Sequence, residues 1–284
     1  MIVSTYNSSQ RLSFAELLLP WKIVAKLMPH VSLLRQFTKR EIEKRYKGTL
    51  LGLCWSFFTP LLMLAVYTVV FGFIFKGSYG HPGETKMQFV LGLFCGMLVW
   101  DLIAGVLTSS PMLMVQNTNF VTKVIFPLEI LPIAMVVGTL VHTAIGFVPL
   151  LLLIMISQGM ISISGLSLFL IFIPIVFYCL GLTWIISALG VFLRDIAAIM
   201  PAVITILMFL SAIFFPIAAI PAIWRWVAML NPAAVLISMA RDALVFGQWM
   251  NGEVFGIQVG ISLLVAMIGY AFFMKVKSAF ADVL

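Results

Sequence analysis

Long runs of apolar residues, separated by short polar stretches, occupy the chain from residue 48 onward. About 20 consecutive apolar residues are needed to cross the hydrocarbon core of a bilayer as a helix. The first such run lies between Lys47 and Lys76. The second begins at Met87 and closes at the polar residues 116–119. We therefore expect one membrane-spanning helix in each run.

The uncharged run between Glu129 and Arg194 is too long for a single crossing. Serine, glutamine and glycine residues in its middle, from Ser157 to Gly165, are typical of a turn. This turn divides the run into spans 3 and 4. A fifth span is predicted from Ile196 to about residue 215, and a sixth over 254–274.

The stretch 216–252, between the fifth and sixth spans, has a different pattern. It is apolar, but prolines interrupt it, and it carries Arg225, Arg241 and Asp242. No uninterrupted piece is long enough to cross the membrane. Non-helical backbone is tolerated at membrane depth only where protein or water covers it. The pattern therefore predicts short re-entrant helices that dip into the membrane and return.

An amphipathic helix is predicted from Val31 to Lys47, directly before the first span. Apolar and basic residues separate onto two sides at helical spacing, and the apolar stripe comprises Val31, Leu34, Thr38, Ile42 and Tyr46. Such a helix lies in the membrane surface, attracted by anionic headgroups. Two interpretations stay open: a simple anchor, or a site where Arg40, Arg45 and Lys47 meet a phosphate group of a lipid-linked substrate.

Composition removes a water-soluble enzyme from consideration. The 284 residues are 63% hydrophobic and 10% charged, with a mean hydropathy of +1.16, whereas soluble domains are about 25% charged. With the N-terminus in the cytoplasm, thirteen of the 17 lysines and arginines fall on the cytoplasmic side. This bias favours cytoplasmic termini. The net charge of +7 then reflects the membrane rather than nucleic acid. The predicted fold class is an all-α integral membrane protein.

The expected organisation has three parts: a cytoplasmic N-terminal segment with the interfacial helix over 1–50, a six-span domain over 51–276, and a cytoplasmic tail over 277–284. The phosphate-binding pattern G-x-x-x-x-G-K-[ST] is absent from the sequence. The three cysteines and three histidines lack ligand spacing, so neither a metal site nor a catalytic group is predicted. Asp101, a carboxylate midway along a span, is a functional candidate by default.

The aromatic residues of the first span offer a second candidate. Tyr67, Phe71 and Phe75 repeat at four-residue spacing. Packing against lipid and core explains any one of them, but together they are suited to line a passage for sugars. Pairs of glycines four residues apart occur at 48/52, 92/96 and 256/260, and they permit close helix contact.

Several motifs resemble one family, the permease subunits of ATP-binding-cassette polysaccharide exporters for O-antigen, capsule or teichoic acid. The resemblance begins with RYKGTLLGLCWSFFTPLLMLAVYTVVFGFIF at 45–75. It continues through GMLVW at 96–100, FPLEILP at 126–132, FLRDIAAIMP at 192–201, FFP at 214–216, NP at 231–232 and Arg241. Many relatives carry Ser-Pro before the aromatic-proline pair, where this chain has Ser211-Ala212-Ile213. The local backbone is expected to differ there.

The resemblance implies six spans in the bacterial inner membrane, and two copies that form one channel above two copies of a separate ATPase. No cofactor is implied for this chain, because ATP and magnesium belong to the ATPase. From the residues and the resemblance together, we expect the following roles. Arg40, Arg45 and Lys47 would bind substrate pyrophosphate; Tyr67, Phe71, Phe75, Trp100 and Asp101 would line the channel; Lys123, Phe126, Glu129, Arg194 and Asp195 would couple to the ATPase; Phe215, Pro216, Asn231 and Arg241 would form the outer gate.

Structural explanations compete with some of these roles. Glu129 suits the positive N-terminal end of span 3, and Asp195 suits the cap of span 5. The expected function is the channel-forming subunit of an exporter of lipid-linked polysaccharide, O-antigen before others. An exporter of a smaller amphiphile or drug is the first alternative. A membrane enzyme acting on lipid-linked sugars is the second.

Overall fold

The computed structural model describes residues 28–46, 55–122 and 126–284, and within these ranges the chain is helical and without β-strands. Lys47 and Lys123 therefore lie outside the described residues. The helices, in chain order, are α1 (Val31–Tyr46), α2 (Trp55–Tyr67), α3 (Lys86–Ser109), α4 (Thr118–Thr122), α5 (Ile130–Gln158), α6 (Ser167–Phe192), α7 (Ile196–Leu210), α8 (Ala222–Leu230), α9 (Pro232–Leu244), α10 (Gly252–Val276) and α11 (Phe280–Val283).

Within the described ranges, five helical segments are long and apolar enough to cross a membrane, namely Phe57–Ile74, Lys86–Ser109, Ile130–Gln158, Ile163–Phe192 and Gly252–Val283. The all-α membrane fold is thus confirmed. The predicted fifth span is shorter: α7 has 15 residues, about 22 Å of helix against a hydrocarbon core of about 30 Å. A crossing by α7 therefore stays a prediction.

Helix α3 forms the centre of the chain. Every residue from 91 to 100 is buried, against α5 on one side and α9 on another. Helices α6 and α10 pack more closely still, because glycines meet at their crossing. A Cβ on Gly269 would lie 2.3 Å from the carbonyl oxygen of Gly181, a distance that no side chain tolerates. A Cβ on Gly256 or Gly260 would meet nothing within 4 Å, so this predicted pair makes no close helix contact with the part of the chain that the structure describes.

Helix α1 docks on protein rather than standing free. Its anchor is Phe37, which is 8% exposed and contacts the rings of Phe120 and Phe126 at centroid distances of 5.1 and 5.0 Å. Of the predicted apolar stripe, Leu34, Thr38 and Ile42 are half-buried, whereas Val31 is 58% exposed. The stripe omits Phe37, which lies one position away from Thr38 and is the buried anchor of the helix.

The stretch between α7 and α10 contains short helices, as predicted. Helix α7 ends at Leu210, before the expected boundary near residue 215, because Ala212 takes a left-handed backbone conformation with φ +51°. Asn231 begins α9 by accepting a hydrogen bond from the amide of Ala233 at 3.1 Å, and Pro232 occupies the first helical turn. Both are favoured helix-start features. The depth of α8 and α9 in a membrane stays a prediction.

Candidate functional site

A polar furrow interrupts the apolar surface of α3. Asp101, Gly105 and Thr108 follow one another at spacings of four and three residues, and Asp101 and Thr108 are exposed although the preceding ten residues are buried. At Gly105 the furrow meets two other helices: a Cβ there would lie 3.2 Å from Cγ2 of Thr139 and 3.7 Å from Nη2 of Arg45. Arg45 donates a hydrogen bond to Oγ1 of Thr139 at 2.7 Å.

These five residues define the polar furrow. A carboxylate exposed to hydrocarbon is costly, so Asp101 must face water or protein. The polar furrow is therefore the side of α3 that is suited to an aqueous passage. Trp100, assigned to the same lining from the resemblance, is 4% exposed and belongs to the core. Its ring is at no surface of this chain, and the structure does not support its assignment.

The aromatic residues of the first span assemble around a residue that the sequence analysis did not single out. The ring of Phe214 is 4% exposed and stacks on Phe71 at 4.3 Å, with Tyr67 at 5.3 Å and Phe209 at 5.5 Å. Tyr67 and Phe71 are half-buried, and Phe75 is 69% exposed. The sequence does contain a signal for this residue, the aromatic pair before Pro216, but the outer-gate prediction names the second member of the pair, Phe215.

The backbone beneath this aromatic cluster is unusual. Helix α2 continues as a π-helix over Thr68–Ile74, and the amide of Phe75 donates to the carbonyl of Val70 at 2.9 Å, five residues back. π-Helical turns are rare and often lie at functional sites. The wider turn carries Phe71 into its stack on Phe214 and so joins the first span to the predicted outer gate.

The predicted outer gate is built around a buried cation. Arg241 is 1% exposed, and its Nη1 donates to the carbonyls of Ala212 and Ile213 at 3.3 and 3.4 Å. Its Cζ lies 3.6 Å from the centroid of the Tyr79 ring. The hydroxyl of Tyr79 donates to the same Ile213 carbonyl at 2.7 Å. We call Arg241, Tyr79 and the two carbonyls the outer latch.

Burial shapes the chemistry of the outer latch. It raises the pKa of Tyr79 to about 12, although the charge of Arg241 opposes the shift, so this phenol remains a hydrogen-bond donor at neutral pH. Asn231 adds a further tie: its Nδ2 donates to Oγ of Ser211 at 3.2 Å, which joins the start of α9 to the end of α7. Phe215 and Pro216 are half-buried.

A second polar contact lies beside the outer latch. Nε2 of His81 is 3.3 Å from Oδ1 of Asp242, and the imidazole stacks on Phe246 at 3.8 Å. Burial raises the pKa of Asp242, while the charges of Arg241 and His81 partly offset the shift. The loop before α3 is thereby held to the end of α9.

The residues assigned to coupling divide into buried and exposed groups. Glu129 is 1% exposed and accepts from Nζ of Lys277 at 3.1 Å, which ties the start of α5 to the C-terminal end. Phe126 packs on Phe37. Arg194 and Asp195 are exposed before α7. Asp195 occupies the N-cap position of α7, but its side chain makes no capping hydrogen bond.

The two described arginines of the predicted phosphate site have partners within the chain. Arg45 binds Thr139 in the polar furrow. Nη2 of Arg40 donates to Oδ1 of Asn117, and one turn later Nζ of Lys44 donates to Oε1 of Gln116 at 2.8 Å. All three basic residues remain exposed. In the sequence, Asn117 and Gln116 indicate only the polar end of span 2.

The sequence of this chain is similar to those of known membrane transport proteins. The family model described as ABC-2 type transporter matches residues 32–245. An O-antigen export system permease protein, RfbA, of Klebsiella pneumoniae is 26% identical over 254 residues, which cover 89% of this chain and 95% of the relative. RfbA of Myxococcus xanthus is 26% identical over 200 residues, covering 70% of this chain and 74% of the relative.

A third relative, the polysialic acid transport protein KpsM of Escherichia coli, is 21% identical over 236 residues, covering 82% of this chain and 89% of the relative. The family match extends from α1 through α9, so it includes the polar furrow, the aromatic cluster and the outer latch. This chain belongs to the ABC-2 type transporter family of membrane proteins.

Proposed function

We propose that this chain is the channel-forming transmembrane subunit of an ATP-driven exporter that moves lipid-linked O-antigen across the bacterial inner membrane. The observation that carries the proposal is the similarity to the Klebsiella pneumoniae O-antigen export permease, which extends over 95% of that relative. The apolar helices of the chain agree with a multi-pass membrane subunit.

The passage runs along the polar furrow. Sugars and a pyrophosphate need hydrogen-bonding or aqueous surroundings. The furrow offers Asp101 and Thr108 on one side of the otherwise apolar α3, and Arg45 from α1. The lipid tail stays in the bilayer. Near the other end of the passage, the aromatic residues Tyr67, Phe71 and Phe75 present faces on which the C–H surfaces of sugars pack.

Two copies of the chain enclose this passage. In a single copy the polar furrow opens to the side, and the first span, Phe57–Ile74, has only 11% of its residues buried. A symmetric pair covers such a surface with the same surface of its partner. Pairing therefore supplies the missing wall of the passage.

A separate ATPase, also in two copies, supplies the energy and binds ATP and magnesium. The phosphate-binding pattern that such chemistry requires is absent from this sequence. The contact with the ATPase involves the segment 115–122, together with Arg194 and Asp195, which are exposed. Lys123, Phe126 and Glu129 follow directly in the chain. Both termini lie in the cytoplasm.

Reconstitution with the candidate ATPase in proteoliposomes tests the proposal. We expect no ATP hydrolysis by the purified permease, and hydrolysis together with movement of lipid-linked O-antigen once the ATPase is added. A fluorescent phospholipid serves as the competing substrate. Movement of the phospholipid without movement of the polymer would make the chain an exporter of small amphiphiles. Hydrolysis by the permease alone would contradict the separate ATPase.

A further inference from the structure

Two parallel contacts join α1 to the segment between α3 and α5. Arg40 and Lys44 lie one turn apart on α1 and bind the consecutive amides of Asn117 and Gln116. Each bond has a cationic donor, and such bonds are about twice as strong as neutral ones. We call these four side chains the clasp.

A hydrogen bond within the segment orients the Asn117 side chain of the clasp. Asn117 is 6% exposed, and its Nδ2 donates to the carbonyl of Leu113 at 2.8 Å. This bond fixes the amide so that Oδ1 faces Arg40 and accepts from it. On the other side, the guanidinium of Arg40 lies 4.8 Å from the ring centroid of Phe37 and 5.6 Å from that of Phe120. Its geometry is therefore constrained as well.

Among the described residues, the space around the clasp is open. A cavity of about 440 Å³ lies between α1 and the segment, lined by Arg40, Glu43, Lys44, Gln116, Asn117, Asn119 and Phe120. Here the two elements are joined by side chains across a cavity rather than by closely packed backbones. The contact between Phe37 and Phe120 is a further tie on this side. The clasp consequently carries much of the connection.

At its far end α1 reaches the polar furrow. Arg45, one residue beyond Lys44, donates to Thr139 at 2.7 Å. In addition, a Cβ on Gly138 would lie 3.1 Å from Cβ of Glu41, so α1 and α5 approach closely. A displacement of the segment 115–122 that the clasp passes to α1 therefore arrives at the furrow.

We propose that Asn117 and Gln116 are positioning residues that clamp the segment 115–122 to α1, so that motion of the segment is transmitted to the polar furrow. The inference rests on the proposed function for the source of that motion, a partner ATPase. The clasp itself is independent of the substrate.

A distance measurement on the permease alone tests the clasp. Spin labels are placed at two exposed positions, Lys39 on α1 and Thr122 on α4. With the clasp intact we expect one narrow distance distribution. Asn117→Leu combined with Gln116→Leu is expected to broaden it or add a second population. The control is Asn119→Leu, which alters the same segment and the same cavity without touching a clasp bond. Equal widths in all three proteins would overturn the proposal.

The assembled exporter provides the functional test. Loss of one charge-assisted bond shifts a two-state population by about tenfold, so Asn117→Leu should lower polymer exported per ATP hydrolysed by roughly that factor while hydrolysis continues. Asn117→Asp keeps an acceptor for Arg40 but loses the donor to the Leu113 carbonyl, so it should restore only part of the ratio. The control here is Glu43→Gln, which lines the same cavity from α1 and makes no clasp bond. An unchanged ratio in Asn117→Leu, or an equal loss in Glu43→Gln, would overturn the proposal. Absence of export by the unaltered protein would contradict only the proposed function, since the spin-label distances judge the clasp separately.

Discussion

The guanidinium carbon of Arg241 lies 3.6 Å from the centre of the Tyr79 ring, inside the protein. Both side chains bind the carbonyl of Ile213, so a single turn after α7 is held from α9 and from the loop before α3. Gly92 makes room for the pair, because a Cβ there would lie 2.9 Å from Cδ of Arg241 and from Cε2 of Tyr79. The outer latch thus joins three parts of the chain that are distant in sequence.

Graded substitutions separate the two contributions of Tyr79. Tyr79→Phe removes the hydroxyl but keeps the ring, and should cost about 1 kcal/mol of unfolding free energy. Tyr79→Leu also removes the cation–π contact and should cost more. Arg241→Met removes the cation–π contact and the donor to the buried Ala212 carbonyl, while the Ile213 carbonyl keeps the Tyr79 hydroxyl, and the expected loss is about 3 kcal/mol. Denaturant unfolding in mixed micelles measures the order, with the exposed Lys275→Met as the control. A loss in Tyr79→Phe as large as in Tyr79→Leu would assign the whole effect to the hydroxyl.

The backbone at Ala212 predicts opposite effects for two substitutions. At φ +51° an alanine is strained, and glycine accepts this conformation without a Cβ penalty. Ala212→Gly should therefore raise the free energy of unfolding slightly, by up to about 1 kcal/mol, which denaturant unfolding measures. Proline requires φ near −65°, so Ala212→Pro should destabilise the protein by more than that and impair export. A neutral proline variant would contradict the left-handed turn.

Two glycines provide a matched pair for helix packing. A Cβ on Gly190 would lie 2.0 Å from the carbonyl oxygen of Pro111, whereas nothing lies within 4 Å of one on Gly256. Gly190→Ala should reduce the yield of folded protein sharply because backbone atoms must move. Gly256→Ala should leave the folded yield unchanged. Size-exclusion profiles in detergent measure both, and a normal profile for Gly190→Ala would be inconsistent with this packing. A loss confined to Gly256→Ala would instead point to a contact with a second chain.

Thiol accessibility tests whether the polar furrow holds water. In a protein without its native cysteines, Asp101→Cys and Thr108→Cys should react with a charged thiol reagent. Only the thiolate form of a cysteine reacts with such a reagent, and a cysteine side chain ionises where water surrounds it rather than lipid. Leu152→Cys, on an exposed apolar position of α5, is the lipid-facing control. Rates roughly tenfold or more above this control are expected. Similar rates at all three positions would remove the furrow from the passage.

The pKa of Asp242 predicts a pH dependence of stability. Burial raises it above the ordinary value of 3.8. From about pH 4 up to this raised pKa, the folded state holds more protons than the unfolded state, so stability falls as the pH rises. Asp242→Asn should flatten the thermal midpoint across this window, while Asp282→Asn, at an exposed carboxylate, should leave the slope unchanged. A slope that persists in Asp242→Asn would refute the assignment.

The membrane character of this chain follows from its sequence alone, for a physical reason. Apolar runs of span length have one stable environment, and inside it the backbone must satisfy its own hydrogen bonds as helix. The composition along the chain therefore predicts the first four spans, the last span and the proline-broken stretch before the last span. The motifs around Phe126, Arg194 and Arg241 also indicate the family from the sequence alone, because each motif is a continuous stretch of the chain.

Contacts between distant residues were decided only by the tertiary structure. Periodicity places residues on a side of a helix, but it does not state which neighbour that side meets. The pattern therefore predicts no contact for Phe37, places Phe214 only within a motif, and assigns Trp100 to a surface although α3 lies at the centre of the fold. Partners such as Asn117 for Arg40 and Tyr79 for Arg241 are 77 and 162 positions away. No local pattern specifies such pairs, because folding brings them together through helices whose packing depends on the whole chain.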